Sequence, residues 1–191
     1  MHKEYLEELL TRDNVVEGIN TNINTILFYI PEINYMIGFD QKNPHHNYDL
    51  WNHTLLTLYN AEESSYNDLD TRLTLLLHDI GKPFSFKEGT VRHYHNHNMV
   101  SAKMTYTILK RLGYKEDYIN LITYLVRNHD KAISDGLIKT EPELAEKLYK
   151  IQYCDALAHN PQYMAKRIEY LYETDIKIQK AKIEKRSKIR K

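Results

Sequence analysis

The stretch Leu75-Leu76-Leu77-His78-Asp79-Ile80-Gly81-Lys82-Pro83 constrains this chain more than any other. An apolar helical run delivers an imidazole and a carboxylate side by side and then stops. Leu73, Leu76 and Leu77 read as one buried helix face, Gly81 as a left-handed cap, and Pro83 as a block to continuation. Burying an unpaired carboxylate costs on the order of several kcal/mol, so Asp79 must be exposed, salt-bridged or metal-bound. The adjacent imidazole favours metal, because His plus Asp is a nitrogen-and-oxygen pair suited to a first-row divalent ion.

Helical phase supplies further ligands. Tyr118, Ile122, Leu125 and His129 step by 4, 3 and 4, and Leu144, Leu148, Ile151 and Asp155 repeat that rhythm. His97, Val100, Met104 and Ile108 begin a third stripe, and a helix around Leu50 to Thr54 adds His53. A lone core histidine is usually a satisfied structural residue. Five such coincidences in one small chain make a metal site the better reading.

The order His53, His78-Asp79, His97, His129, Asp155 resembles the HD superfamily of metal-dependent phosphohydrolases, and His78-Asp79-Ile80-Gly81 is similar to its signature. The likeness runs from about Gly38 to Pro161. It is nearest to the HD domain of bacterial tRNA nucleotidyltransferases, through Asn43 to Thr54 and Asp155 to Pro161. The resemblance implies an all-α, single-domain helical bundle with the metal site between core helices. The chain is expected to divide into a helical lead-in packed on the core (1–40), the HD domain (41–172) and a basic helical or disordered tail (173–191). The resemblance also implies two divalent ions, from among Mn, Fe, Mg, Co and Ni, sharing Asp79. The expected reaction is hydrolysis of a nucleotide, a 2',3'-cyclic phosphate or a related phosphate ester. The polymerase head of the nucleotidyltransferases has no counterpart before His53, so only the hydrolytic half of the likeness is expected here.

Lys82, one turn beyond Asp79, is the candidate cation for the phosphoryl charge. Arg127 is a candidate bidentate clamp and Arg92 a weaker one, while His93 and His95 are expected to line the pocket mouth. His45 and His46 read as solvent-facing loop imidazoles. Trp51 and the 16 tyrosines offer stacking surfaces, although at helical spacing they are more often packing residues. Lys131 to Lys139 reads as a loop or lid, and Thr140 as the cap of the Asp155 helix.

Composition narrows the alternatives. The 26 basic and 26 acidic residues cancel, so no global field points to nucleic acid. The cancellation hides an asymmetry: Ile176 to Lys191 carries eight basic residues against Glu184 alone. An RNA contact through this basic tail is therefore a further expectation. Cys154 is the single cysteine, no run of about 18 apolar residues occurs, and no signal-peptide pattern opens the chain, so a cytoplasmic protein without membrane contact is expected. Two rival readings use the same residues: a mixed-valence di-iron oxygenase of the same superfamily, and a non-catalytic RNA- or protein-binding module.

Overall fold

The computed structural model describes residues 2–189. Arg190 and Lys191, which belong to the expected basic tail, lie outside the described residues. Ten α-helices account for the architecture of the described part, and its only β pairing is an isolated bridge between Lys87 and His93. In chain order the helices are α1 (His2–Thr11), α2 (Val15–Thr21), α3 (Ile23–Tyr29), α4 (Leu50–Glu63) and α5 (Leu69–Leu77). There follow α6 (His97–Arg111), α7 (Glu116–Asn128), α8 (Asp135–Thr140), α9 (Pro142–Leu157) and α10 (Pro161–Ile189). Short 3-10 turns at Pro31–Tyr35 and Lys82–Phe84 complete the set.

α5 is the central element. The Asp68 carboxylate accepts from the Thr71 amide at 3.0 Å and its hydroxyl at 2.9 Å, which starts the helix. Leu73, Leu75, Leu76 and Leu77 are all fully buried, because α4, α7 and α9 surround the helix. The sequence pattern suggested a single apolar face; the structure buries every side. Four such leucines contribute roughly 1.5–3 kcal/mol each. That is enough to offset holding a charged carboxylate at the end of the helix.

The helix ends at Leu77, two residues earlier than the pattern indicates, so His78 and Asp79 lie in the turn that follows. Gly81 is not a left-handed cap: its φ is −85°. It is required for a different reason. Its amide donates to the Ser101 hydroxyl at 2.9 Å, and a Cβ there would overlap the Ser101 amide nitrogen on α6. The glycine thus seats the His-Asp turn directly on α6.

The N-terminal segment packs on the core: Leu6, Leu9 and Leu10 are buried, and the wholly buried Arg72 guanidinium of α5 donates to the carbonyls of Leu10 and Arg12 at 2.8 and 2.7 Å. Two further expectations are corrected. The loop after α7 contains α8, capped by Ser134, whose hydroxyl accepts from the Leu137 amide at 3.2 Å. Thr140 closes α8 and does not cap α9, which starts at Glu141-Pro142 with no side-chain cap.

The basic tail continues α10 as far as Ile189, with Leu171 and Ile178 buried against α9. Lys177 pairs with Asp135 at 2.9 Å, Lys182 with Glu146 at 2.6 Å and Lys185 with Glu143 at 2.7 Å. Three of the eight basic residues of this stretch are therefore paired with acids of α8 and α9.

Gly81→Ala is expected to push the His-Asp turn off α6 and destabilise the protein by about 1–3 kcal/mol, the usual scale of overpacking. Urea unfolding checks this, and an unchanged midpoint would show that the contact tolerates a methyl group.

Candidate metal centre

Five segments bring ligand-type side chains to one point. His53 lies in the first turn of α4, His78 and Asp79 follow α5, His97 opens α6, His129 follows α7, and Asp155 lies in the last turn of α9. Asn96, at φ 60°, turns the chain sharply so that His97 enters from its irregular approach segment.

Backbone carbonyls orient the rings. Nδ1 lies 2.7 Å from the Leu75 carbonyl in His78, 2.9 Å from Tyr94 in His97, 2.6 Å from Val126 in His129 and 3.3 Å from Ala158 in His53. A carbonyl only accepts, so each Nδ1 carries a proton, and each ring, once neutral, turns the lone pair of Nε2 to the centre. Such outer hydrogen bonds are what hold metal-ligating imidazoles in place.

Asp79, 2% exposed, is the hub. Its Oδ2 lies 3.2 Å from His78 Nε2 and 3.8 Å from His53 Nε2; its Oδ1 lies 3.4 Å from His97 Nε2 and 3.6 Å from His129 Nε2. Asp155 Oδ1 closes the first side, at 3.1 Å from His53 Nε2 and 3.6 Å from His78 Nε2. Two donor groups suited to metal therefore share Asp79, one with His53 and His78, the other with His97 and His129. His78 Nε2 and Asp79 Oδ1 are buried and have no hydrogen-bond partner. An orphaned imidazole nitrogen and an orphaned carboxylate oxygen amid converging nitrogen and oxygen donors form the pattern that divalent ions satisfy, and the residues fit such ions.

Without a metal, protonated His78 and Lys82 supply the counter-charge to Asp79. Burial alone would raise the Asp79 carboxyl, but the His78 charge, then Lys82, holds it well below the usual range. Asp155 is likewise held low against burial, by His159, His53 and His78. Burial disfavours charge on His78, yet Asp79 and Asp155 raise it to about 10. Burial and the neighbouring His78 push His129 down to about 4, and burial takes His159 to about 4.

The remaining expected residues divide. Lys82 is 5% exposed, with Nζ 2.7 Å from Asp79 Oδ2 and 2.9 Å from Gln41 Oε1, so it is a buried cation and not a surface lysine. Arg92 is outside the cleft: its guanidinium lies over the rings of Phe39 and Phe86 at 4.9 and 4.5 Å, pairs with Glu88, and donates to the Asp40 carbonyl. His93 and His95 do share one side, stacked 5.9 Å apart, but that side faces solvent; Tyr94 between them lines the cleft. Arg127 is exposed and does not line the cleft. Trp51 is buried as packing and offers no free stacking surface.

Sequence reasoning gave no site role to Asn43, His45, His46, Tyr94, Asp130 and His159, all of which line the cleft. His46 is a partly buried wall residue and not a free loop imidazole, because the Asn160 amide donates to the His45 carbonyl at 2.8 Å and the Asn160 side chain to Pro44 at 3.1 Å. Those bonds fold the loop before α4 onto the α9–α10 turn. For His159 a signal was available: it stands four residues after Asp155, one helical turn along the same face.

A helical core that closes on converging imidazoles and two carboxylates, led by an adjacent His-Asp pair, defines the class of helical metal-binding HD domains. Residues 50–178 match the family profile described as HD domain, and the chain belongs to that family. The all-α fold and the family likeness read from the sequence are both met. HD domains are generally metal-dependent hydrolases that bind divalent metals.

Among similar proteins, the CC-adding tRNA nucleotidyltransferase of Thermus thermophilus is 28% identical over 137 residues, covering 66% of this chain and 30% of the relative. The A-adding tRNA nucleotidyltransferase of Deinococcus radiodurans is 27% identical over 165 residues, 80% of this chain and 38% of the relative. The multifunctional CCA protein of an Azoarcus species is 27% identical over 142 residues, 73% and 32% respectively. The chain thus spans about a third of the length of these curated relatives. No helix among the described residues is long and apolar enough to cross a membrane.

The histidine shifts set a pH dependence for the metal-free protein. His129 and His159 protonate near 4 when folded but near 6.5 when unfolded, so the unfolded chain binds more protons between those values and stability falls as pH drops from 6.5 to 4. His78 has the opposite sign; its contribution is complete below 6.5 and is lost as pH rises through about 10. The urea midpoint of chelated protein is therefore expected to be lower at pH 5 than at pH 7.5. A flat profile would contradict the buried, neutral state of these rings.

Proposed function

We propose that this chain is a metal-dependent phosphohydrolase acting on a nucleotide, a 2',3'-cyclic phosphate or a related phosphate ester. His53, His78 and Asp155 would hold one divalent ion and His97 and His129 a second, with Asp79 shared. The observation that carries the reading is the division of the two Asp79 oxygens between two pairs of imidazole nitrogens. The setting supports it: a cleft of about 300 Å³ opens onto Asp79, Asp155, His97 and His129, with Lys82 in its wall.

The chemistry that two divalent ions supply when bound in such a pair is Lewis-acid polarisation of a phosphoryl oxygen and acidification of an attacking water. The chain's own residues do the positioning. The carbonyls of Leu75, Tyr94, Val126 and Ala158 keep protons on Nδ1 and lone pairs inward. Lys82 holds a fixed positive charge beside Asp79, where it favours an anionic ester and the charge that grows on the phosphoryl oxygens. The nitrogen-and-oxygen donor set suits Mn, Fe, Mg, Co or Ni.

The test is metal analysis of protein purified without chelator, together with phosphate release from a panel of phosphate esters with and without oxygen. Two ions per chain and phosphate release that persists anaerobically are expected; turnover that requires oxygen would replace this reading with the di-iron oxygenase.

Two further outcomes are expected. Chelation should lower the melting temperature, because the two buried carboxylates lose their counter-charge, and added metal should restore it by mass action; coincident melting curves would make the cluster purely structural. Lys82→Met should keep both ions and lower turnover by about a hundredfold, the scale of one preorganised electrostatic contact. Asp79→Asn should lose metal and activity together, and full activity in that variant would remove the basis of the proposed site.

A further inference from the structure

The two donor groups that share Asp79 are unequal. On the first side His53 and His78 face two carboxylates, Asp79 through Oδ2 and Asp155 through Oδ1; on the second, His97 and His129 share only Asp79 Oδ1. Affinity for a divalent ion rises with the number of charged ligands, so the second side as it stands would be the weaker one.

One further carboxylate lies on that poorer side. Asp130 follows His129 and lines the cleft, with Oδ2 3.9 Å from His97 Nε2, the nitrogen that Asp79 Oδ1 approaches at 3.4 Å. Both separations exceed the roughly 2.7–3.2 Å of a hydrogen bond. Both are close to the 3.1 to 3.8 Å spacing of the donor atoms on the first side. The Asp130 side chain is 38% exposed, so an ion in the cleft can reach it.

The carboxylate is also aimed. Asn98 of α6 is buried, and its side-chain nitrogen donates to Asp130 Oδ1 at 3.0 Å and to the Arg127 carbonyl at 3.2 Å, while its Oδ1 accepts from the Met99 amide at 2.8 Å. With Oδ1 held by Asn98, Oδ2 is the oxygen left toward His97. An outer hydrogen bond of this kind is how ligating carboxylates are oriented.

Nothing else in the fold accounts for a negative charge there. No Lys or Arg pairs with Asp130 among the described residues: neighbouring Lys131 bonds to Asn128, and Lys82 to Asp79 and Gln41. Asp130 stands just past the C-terminal end of α7, where the helix dipole disfavours an anion, and it faces the same ring nitrogen as a second carboxylate. A cation in the space these groups share would reverse both penalties. We propose that Asp130 is the carboxylate donor of the second ion, the counterpart of Asp155 on the first, with Asn98 as its positioning residue. Each ion would then have two imidazoles, one carboxylate of its own and one oxygen of Asp79. The inference rests on the two-ion site proposed above and adds a ligand to it.

The probe is manganese, titrated calorimetrically into the full chain after removal of chelator, with bound metal counted on every variant. The wild-type chain should take two ions. Asp130→Asn keeps an acceptor for Asn98 and removes the charge; it should weaken one ion by at least tenfold and leave the other at wild-type affinity. Added to His97→Ala, which removes a ligand of the same ion, it should not weaken the remaining ion further. Asp130→Glu, which restores the charge, should recover part of the loss, and Asp117→Asn, an exposed acid at the opposite end of α7, should match the wild type. In the metal-free state Asp130→Asn should unfold at the wild-type urea concentration or above it, because like charge has been removed. A lower midpoint would make the residue structural and overturn the proposal. Wild-type affinity for both ions in Asp130→Asn, or further weakening of the remaining ion in the double variant, would overturn it while leaving the two-ion site in place. A wild-type chain that takes a single ion would overturn the two-ion reading and this inference together.

Discussion

The structure depends on one compensated burial, the Asp79 carboxylate at the end of an all-leucine helix. A charge there is tolerable only because cationic and metal-suited groups converge on it from four directions: Lys82 from its own turn, His53 from α4, His97 from α6 and His129 from α7. Each partner requires its helix to end or begin at the centre. The packing of α5 among α4, α7 and α9 is thus both the source of stability and the device that brings the ligands together. The Gly81 contact with Ser101 supplies the remaining seam, from α5 to α6.

Orientation is handled separately from placement. Three of the four converging imidazoles bond through Nδ1 to a carbonyl three residues earlier, which couples ring direction to the local backbone at a helix end or an entering turn. This local bond makes the tautomer independent of what occupies the centre. It also explains why histidines at helix ends, and not in helix interiors, serve here: the carbonyl three residues back is otherwise engaged in the ladder of a continuing helix.

The arrangement of positive charge follows the same economy. Lys82 is the single Lys or Arg side chain drawn to the carboxylates among the described residues of the cleft. Arg92 braces the irregular segment before α6 against Phe39 and Phe86, Arg72 ties α1 to α5, and several lysines of α10 pair with acids of α8 and α9. Basic residues that look interchangeable in a composition count therefore divide into scaffold cations and one site cation, and only distance to Asp79 separates the two kinds.

The positions of His53, His78, Asp79, His97, His129 and Asp155 on separate apolar stripes were legible from periodicity, because a residue in phase with a buried helix face has nowhere to go but the core. The all-helical fold was what the resemblance carried by those residues implied. Periodicity was silent where the backbone is irregular. The left-handed cap expected at Gly81 came from the glycine-and-proline stop signal, which carries no knowledge of Ser101, and Arg92, His93 and His95 were placed at the cleft by residue type and nearness to His97, because a segment without helical phase has no readable face. His46 entered the wall only when Asn160 bonded to the chain at Pro44 and His45, a contact 116 residues apart in sequence for its side chain. Helical phase is a local property and can be counted along a chain; which loop folds across which helix end depends on long-range hydrogen bonds and packing, and only the tertiary structure decides that.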